Sequence, residues 1–395
     1  MTADAPRTGA TDWYGLTAAI AAISVVGTAI GLGIPLLSFV LESRGFSAGA
    51  IGANTAVAGL ASLAAAPFAT PLAVRFGVAP LMLAMLALGG AAFSGFHFTE
   101  SYALWFPLRS LLHFALTVIF ILSEAWVNHC APPEKRGFVL GLYATVLSLG
   151  FAMGPWMFSV LGSGGFAPFG AVLALILSAM VPVILARHVT PDLSAEGPQT
   201  GSGFLRHLFS VPTATAAVLV YGAVETGGFA LFPVYGLRMG YGEADAALLL
   251  TMIGLGNVVL QMPLGILSDR IGDRRVLLAL CAAFGLAGMV LLPFIAHSWV
   301  LTAMLLFVWG GVVAGLYTVG LAHLGSKLSG RDLVAANAAF VFCYALGMLA
   351  GPWAIGKGMD LAGPQGFAHV LAVFLTLYLM LVVARFLTAP GKGGA

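Results

Sequence analysis

Apolar residues in this chain come in long runs, separated by short clusters of charge, proline or glycine. A membrane-crossing helix needs about 20 mainly apolar residues. Runs of that length predict twelve transmembrane helices, at 14–41, 49–73, 78–96, 102–128, 138–160, 166–186, 211–237, 245–266, 274–295, 299–325, 333–356 and 366–388. None alternates with the period of two expected of a membrane β-strand, so the predicted class is an all-α membrane protein. The first run is too long for a signal-peptide core and no convincing cleavage site follows it, so it is read as a retained span. The longest polar stretch, from His188 to about Ser210, sits at the chain midpoint. It predicts an N-terminal six-helix bundle at 1–187, a cytoplasmic linker at 188–210 and a C-terminal six-helix bundle at 211–395.

Composition agrees with the pattern. Of 395 residues, 60% are hydrophobic and 8% are charged, whereas soluble domains carry about 25% charged residues. A water-soluble globule is excluded, and the net charge of +2 argues against a nucleic-acid partner. The 51 glycines suit helices that pack closely in lipid. Cys130, Cys281 and Cys343 form neither a CxxC pair nor a disulfide framework.

Charge also predicts orientation, because Lys- and Arg-rich loops stay cytoplasmic. With both termini on one side, that side holds Arg7, Arg75, Lys135, Arg136, Arg187, Arg206, Arg270, Arg274, Arg275, Lys327, Arg331, Arg385 and Lys392. The other side holds Arg44, Arg238 and Lys357, and Arg109 is left inside a span. Both termini are therefore expected in the cytoplasm, which requires an even number of spans.

The two halves resemble each other at a shift of about 195 to 197 residues. Leu149-Gly150, three residues, then Gly154-Pro155-Trp156 in span five matches Leu346-Gly347, three residues, then Gly351-Pro352-Trp353 in span eleven. Arg75-Phe76-Gly77 matches Arg270-Ile271-Gly272. Parallel repeats of six spans are a recurring plan for secondary transporters, with the solute held near the midplane between them. Gly150, Gly154, Gly347 and Gly351 form small-xxx-small faces, and Pro155 and Pro352 each remove a backbone hydrogen bond; a packing and hinge role is expected.

Between spans eight and nine stands Gly265-Ile266-Leu267-Ser268-Asp269-Arg270-Ile271-Gly272-Asp273-Arg274-Arg275. This segment resembles the cytoplasmic signature of the major facilitator superfamily: a glycine, three residues, Asp-Arg, one residue, a glycine, then basic residues. The resemblance implies two pseudo-symmetric six-helix bundles in a bacterial inner membrane. It also implies a latch for the outward-facing state formed by Gly265, Asp269, Arg270, Gly272, Arg274 and Arg275. The glycines would allow close helix approach, Asp269 would pair with a helix end or an Arg, and the arginines would hold the loop at the anionic face. The first-half copy departs from the pattern, with Thr70 for the first glycine and Val74 for the acid. Ser123-Glu124-Ala125-Trp126, the segment from Pro132 to Gly137, and Gly315-Leu316-Tyr317-Thr318-Val319-Gly320 look like the YcaD-type bacterial permeases.

Ionisable groups inside spans are costly and often functional. Arg109 matches the arginine of the superfamily's fourth-span motif in proton-coupled members, while Leu112 and His113 stand where that motif has Gln and Gly. It is read either as an anion or proton-coupling group or as a structural partner of a carboxylate or carbonyls. Glu225 lies in mid-span seven with Tyr221 one turn before it. A desolvated carboxyl group favours its neutral form, which suits proton uptake and release; the alternatives are cation binding and interhelical pairing. Glu124, near the cytoplasmic end of span four, is read as part of a cytoplasmic charge network or as a transport residue. His113 and His323 are candidate proton relays or simply hydrogen-bonded histidines. Asn257 with Gln261, and Asn337 with Tyr344, share helix faces that line a cavity or bond between helices.

Gly45-Phe46-Ser47-Ala48-Gly49 fits the GxSxG pattern but lies in a short loop, where Ser47 is expected to cap the next helix. No GxxxxGK[ST] or HExxH occurs, so ATP-driven transport and metalloprotease chemistry have no support. The expectation is a secondary active transporter of a small organic solute, working by alternating access and proton-coupled. It would function as a monomer in lipid and need neither cofactor nor metal. The competing reading is a permease-like receptor or scaffold without net transport.

Overall fold

The structure, a computed structural model, describes residues 13–132, 135–191, 208–328 and 330–388. Arg7, Pro133, Glu134, Arg206, Lys392 and the linker residues 192–207 lie outside the described residues, as do the side chains of Arg136 and Arg331.

The apolar runs form α1 (Trp13–Ser43), α2 (Ala48–Phe76), α3 (Val78–Gly95), α4 (Tyr102–Cys130), α5 (Arg136–Leu161), α6 (Ala167–Leu185), α7 (Pro212–Arg238), α8 (Glu243–Arg270), α9 (Arg274–Ile295), α10 (Trp299–Lys327), α11 (Gly330–Ala362) and α12 (Gly366–Leu387). Side chains begin several of them. Ser47 accepts from the Ala50 amide at 3.2 Å to start α2, as its sequence context suggests, and Asp273 accepts from the Arg275 amide at 3.0 Å to start α9. Among the described residues eleven apolar stretches are long enough to cross a membrane. This is one fewer than the sequence pattern predicts, because the last, Ala335–Leu387, runs through α11, the short 3-10 turn Gly363–Gln365 and α12. α11 also outlasts its predicted end at 356, since Gly356 packs on Ala48 and Gly358 on Gly366 and Val370, which keeps this glycine-rich end helical.

The packing plan of α1–α6 recurs in α7–α12. α5 lies along α1 as α11 lies along α7, α4 along α2 as α10 along α8, and α6 on α3 as α12 on α9. Glycines set the closest crossings. A Cβ on Gly154 would overlap the backbone of Gly31 and Leu32, and one on Gly351 would overlap Ala223. Neither crossing could form this closely with a larger residue. Pro155 and Pro352 sit inside continuous helices.

The two sets of six helices meet through α2 against α11 and α5 against α8. Along α2 the close approaches run from Gly49, beside Asp360 and Lys357, through Gly52 on Pro352, to Gly59 on Ala345 and Leu349. This is the half of α2 nearest its start. Hydrogen bonds reinforce the same face. Asp360 accepts from the Gly49 amide at 3.1 Å and the Ser47 hydroxyl at 3.2 Å. Glu243 accepts from the Ser163 amide at 3.2 Å and hydroxyl at 2.9 Å. Arg238 grips Glu42 with two bonds, at 2.9 and 3.1 Å. The other face carries Arg75, Lys135, Arg187, Arg270, Arg274, Arg275, Lys327 and Arg385, and is called the basic face below. Toward it the interface opens: Gly141, Leu142, Ala144 and Thr145 of α5 and Asn337, Ala338 and Val341 of α11 are exposed.

Candidate functional site

α7 is buried along most of its length, so Glu225 is carried into the middle of the protein rather than onto a lipid-facing surface. The Tyr221 hydroxyl, one turn earlier on the same face, donates to Oε1 of Glu225 at 2.7 Å, as the i,i+4 spacing suggests. The Tyr344 hydroxyl of α11 donates to Oε2 at 2.5 Å. Each carboxylate oxygen thus holds one phenol. The Tyr317 ring of α10 completes the group, with its centroid 5.8 Å from that of Tyr221 and 6.0 Å from that of Tyr344. Gly222 allows this convergence, since a Cβ there would overlap the Tyr344 carbonyl.

Beside the carboxylate lies a cavity of about 30 Å³, walled by Glu225, Tyr221 and Phe229 of α7, Asn257 of α8, Trp309 of α10 and, from the first six helices, Phe151 of α5. The site is therefore built at the interface of the two sets. Phe151 and Phe229 face each other across it with centroids 4.3 Å apart. Trp309 is fixed by donating its indole N–H to the Gly285 carbonyl at 3.0 Å. Asn257 presents a buried Oδ1 that has no hydrogen-bond partner. Its helix-mate Gln261 instead reaches Thr318 of α10 at 3.4 Å, so the two amides serve different neighbours.

Arg109 is placed elsewhere. It is 1% exposed, and its Nε donates at 2.8 Å to Oδ1 of Asn54 on α2. Its two terminal nitrogens and the Asn54 amide nitrogen are buried without partners. Arg109 does not line the Glu225 cavity, so the two charges that the sequence places at membrane depth do not share a site. His113 is buried one turn further along α4.

Glu124 is exposed, and its carboxylate acts electrostatically on Tyr143 of α5 and Tyr317 of α10. Tyr317 is also within electrostatic reach of Glu225. Asn337 shares a helix face with Tyr344 but not its surroundings, because it lies two turns nearer the basic face, where the interface has opened.

The motif from Gly265 closes on its own half, with Asp269 paired to an Arg. Arg274 donates to Ser268 at 3.0 Å and to Asp269 at 3.2 Å. Asp269 is 77% exposed. Arg275 pairs with Asp273 at 2.6 Å, donates to the Arg385 carbonyl and lies 4.7 Å over the Phe386 ring, tying α9 to α12. The hydrogen bonds from Arg275 hold the Asp273 carboxyl below the usual carboxylate range. Arg270 is exposed, and Gly265 and Gly272 face open space, so no close helix approach is made there. His323, expected as a relay, sits at this end of α10 within electrostatic reach of Asp273, Arg274 and Arg275.

Sequence reasoning missed Tyr317, Asn54, Phe151, Trp309, Glu42, Glu243 and Asp360 as parts of these arrangements. The three acids had a signal, since each lies at a span end on the side poor in Lys and Arg. The aromatics had none, because each stands in an apolar run where lipid-facing and cavity-facing residues look alike.

Comparison with known proteins agrees with this architecture. A model of the Major Facilitator Superfamily matches residues 18–254 and 240–395. The chain is similar to the uncharacterized MFS-type transporter YfkF of Bacillus subtilis (strain 168), 27% identical over 373 residues that cover 92% of this chain and 93% of the relative. An uncharacterized MFS-type transporter of Yersinia pestis (strain Pestoides F) is 24% identical over 291 residues, covering 74% of this chain and 75% of the relative. In fold the chain is like the nucleoside transporter NupG, with a TM-score of 0.77 at 13% identity over 96% of this chain and 100% of that one. It is also like a bacterial homologue of the human lysosomal transporter Spinster, solved inward-facing and unoccupied, with a TM-score of 0.73 at 13% identity over 95% and 96%. With its membrane-spanning helices, repeated packing plan and family match along nearly its whole length, this chain belongs to the major facilitator superfamily.

Proposed function

We propose that this protein is a secondary active transporter that moves a small organic solute by alternating access, with Glu225 as its proton-carrying group. In this reading α11 and α12 cross the membrane separately. That gives twelve spans in two bundles, 1–187 and 211–395, and puts both termini on the cytoplasmic, basic face of an inner membrane. The carrying observation is the position of Glu225: a carboxylate at mid-span, held by phenols from two helices, beside a cavity walled by both helix sets. The clamped outer face, and the exposure of α5 and α11 residues toward the basic face, support an inward-open state. The self-contained Asp269 motif fits the same state, since a latch serving the outward-facing form would be disengaged here. The likeness to YcaD-type permeases rests on the segments around Glu124 and Tyr317 and brings no solute with it.

The test uses proteoliposomes loaded with a pH-sensitive dye, under an imposed pH gradient, challenged with amines, carboxylic acids, sugars and nucleosides. Nucleosides belong in the panel because one structural neighbour is a nucleoside transporter. Solute-dependent proton flux is expected from the wild type and none from Glu225→Gln. Unchanged coupled flux in that variant would remove Glu225 from the proton role, and solute binding without flux would favour the receptor reading.

A further inference from the structure

The chemistry around Glu225 selects among solutes. The cavity is lined by one carboxylate, one amide and π-surfaces. Glu225 supplies the carboxylate and Asn257 the amide, whose Oδ1 is buried beside the cavity with no donor to satisfy it. Buried amide oxygens are nearly always hydrogen-bonded in proteins, so an unmet acceptor beside a cavity can take a donor from a ligand once the side chain turns toward it. Tyr221, Phe229, Phe151 and Trp309 surround these acceptors with ring faces, whose quadrupoles attract cations. Glu225 is the one charged residue on the lining, and Glu124 acts on Tyr317 from beyond it. The buried cation that would have balanced them, Arg109, is enclosed against Asn54 and absent from the lining.

Size refines the choice. A space of about 30 Å³ exceeds the roughly 10–15 Å³ that one water needs but is far below the volume of a whole organic solute. It fits a head group of a few heavy atoms, with the body of the solute lying toward the gap among aromatic rings. Ca²⁺ or Mg²⁺ would want six or more oxygen ligands, more than Glu225, the phenols and Asn257 supply.

We propose that the cavity beside Glu225 binds the ammonium head of an amine with an apolar or aromatic body, so that the solute is an organic cation. The N–H groups donate to Glu225 and Asn257 while the carbon next to nitrogen packs on the rings of Tyr221 and Trp309. This assignment rests on the transporter reading above for its biological meaning, but binding can be measured without transport.

The test is calorimetric titration of the purified protein in nanodiscs with methylammonium, butylammonium and phenethylammonium, and with two matched controls, 2-phenylethanol and 3-phenylpropionate. Affinity is expected to rise along the ammonium series. Phenethylammonium should bind at least tenfold more tightly than either control. Glu225→Gln should weaken it at least tenfold, and Asn257→Leu severalfold, while Glu225→Asp retains part of the affinity. Arg109→Met should leave the ranking unchanged. The ligand ranking on the wild type decides the matter even where a variant folds poorly. Equal or tighter binding of the alcohol or the acid, or no binding of any ammonium ion, overturns the assignment. Counterflow in proteoliposomes separates the two ideas. An ammonium ion that binds but shows no counterflow overturns the transporter reading and leaves the cation site standing. Counterflow of the carboxylate alone overturns the cation site and leaves transport standing.

Discussion

Glu42→Gln is expected to loosen the face that holds the two helix sets together. The Glu42 carboxylate accepts two bonds from Arg238, at 2.9 and 3.1 Å, and the side chains are 18% and 27% exposed. Free surface pairs contribute about 0.2–1 kcal/mol, and breaking a fully buried pair costs about 3–5 kcal/mol. A bidentate pair of intermediate exposure falls between, at about 1–2 kcal/mol. This stabilisation exists only while the ends of α1 and α7 are together, so its loss should shift the closed-to-open ratio of this face by about 5- to 30-fold. The assay is double electron–electron resonance between spin labels at Gly164→Cys and Ala244→Cys, in a background of Cys130→Ala, Cys281→Ala and Cys343→Ala. The labels sit next to the Ser163–Glu243 contact, so separation of the face lengthens their distance directly. Glu42→Gln should populate a longer-distance species, Arg238→Gln should do so to a similar extent, and the double variant should add little. An unchanged distribution, or fully additive shifts, would refute the clamp.

Helix packing and charge pairing fix two other outcomes. Gly351→Leu should abolish the folded form in a detergent thermal-melt assay, because even a Cβ there overlaps Ala223, and overpacking by one residue costs about 1–3 kcal/mol or more. A melt unchanged from wild type would show that α7 and α11 can separate freely at this point. At neutral pH Asp273→Asn should lower stability by at most about 1 kcal/mol, since the acid is 37% exposed. Asp273 is held below the usual carboxylate range chiefly by Arg275, so its contribution is present above the unfolded value near 4 and fades as pH falls through the lower folded value. The melting difference between wild type and variant should therefore close in acid and not in base.

The amino-acid sequence by itself determined the helices. Predicted and observed bounds agree within a few residues except at the ends of α11 and α8, because a lipid-crossing helix must satisfy its own backbone and is announced by its apolar length. The Tyr221–Glu225 contact was legible too, since i and i+4 share a helix face whatever surrounds them. So were the Gly-Pro crossings, repeated at corresponding places in the two sets.

Only the tertiary structure decided which polar groups meet. Tyr344 comes to Glu225 from 119 residues away, and Arg109 turns to Asn54 instead of toward the acid. The three acids opposite the basic face find partners in the other helix set, while the Asp269 motif folds back on its own half. In lipid the reason is physical: hydrocarbon tails are as apolar as a protein core, so a residue facing lipid and one facing a neighbouring helix obey the same hydropathy. The sequence can therefore state that Glu225 is at membrane depth, and only packing can state that it is beside Asn257 and a ring of aromatics rather than opposite Arg109.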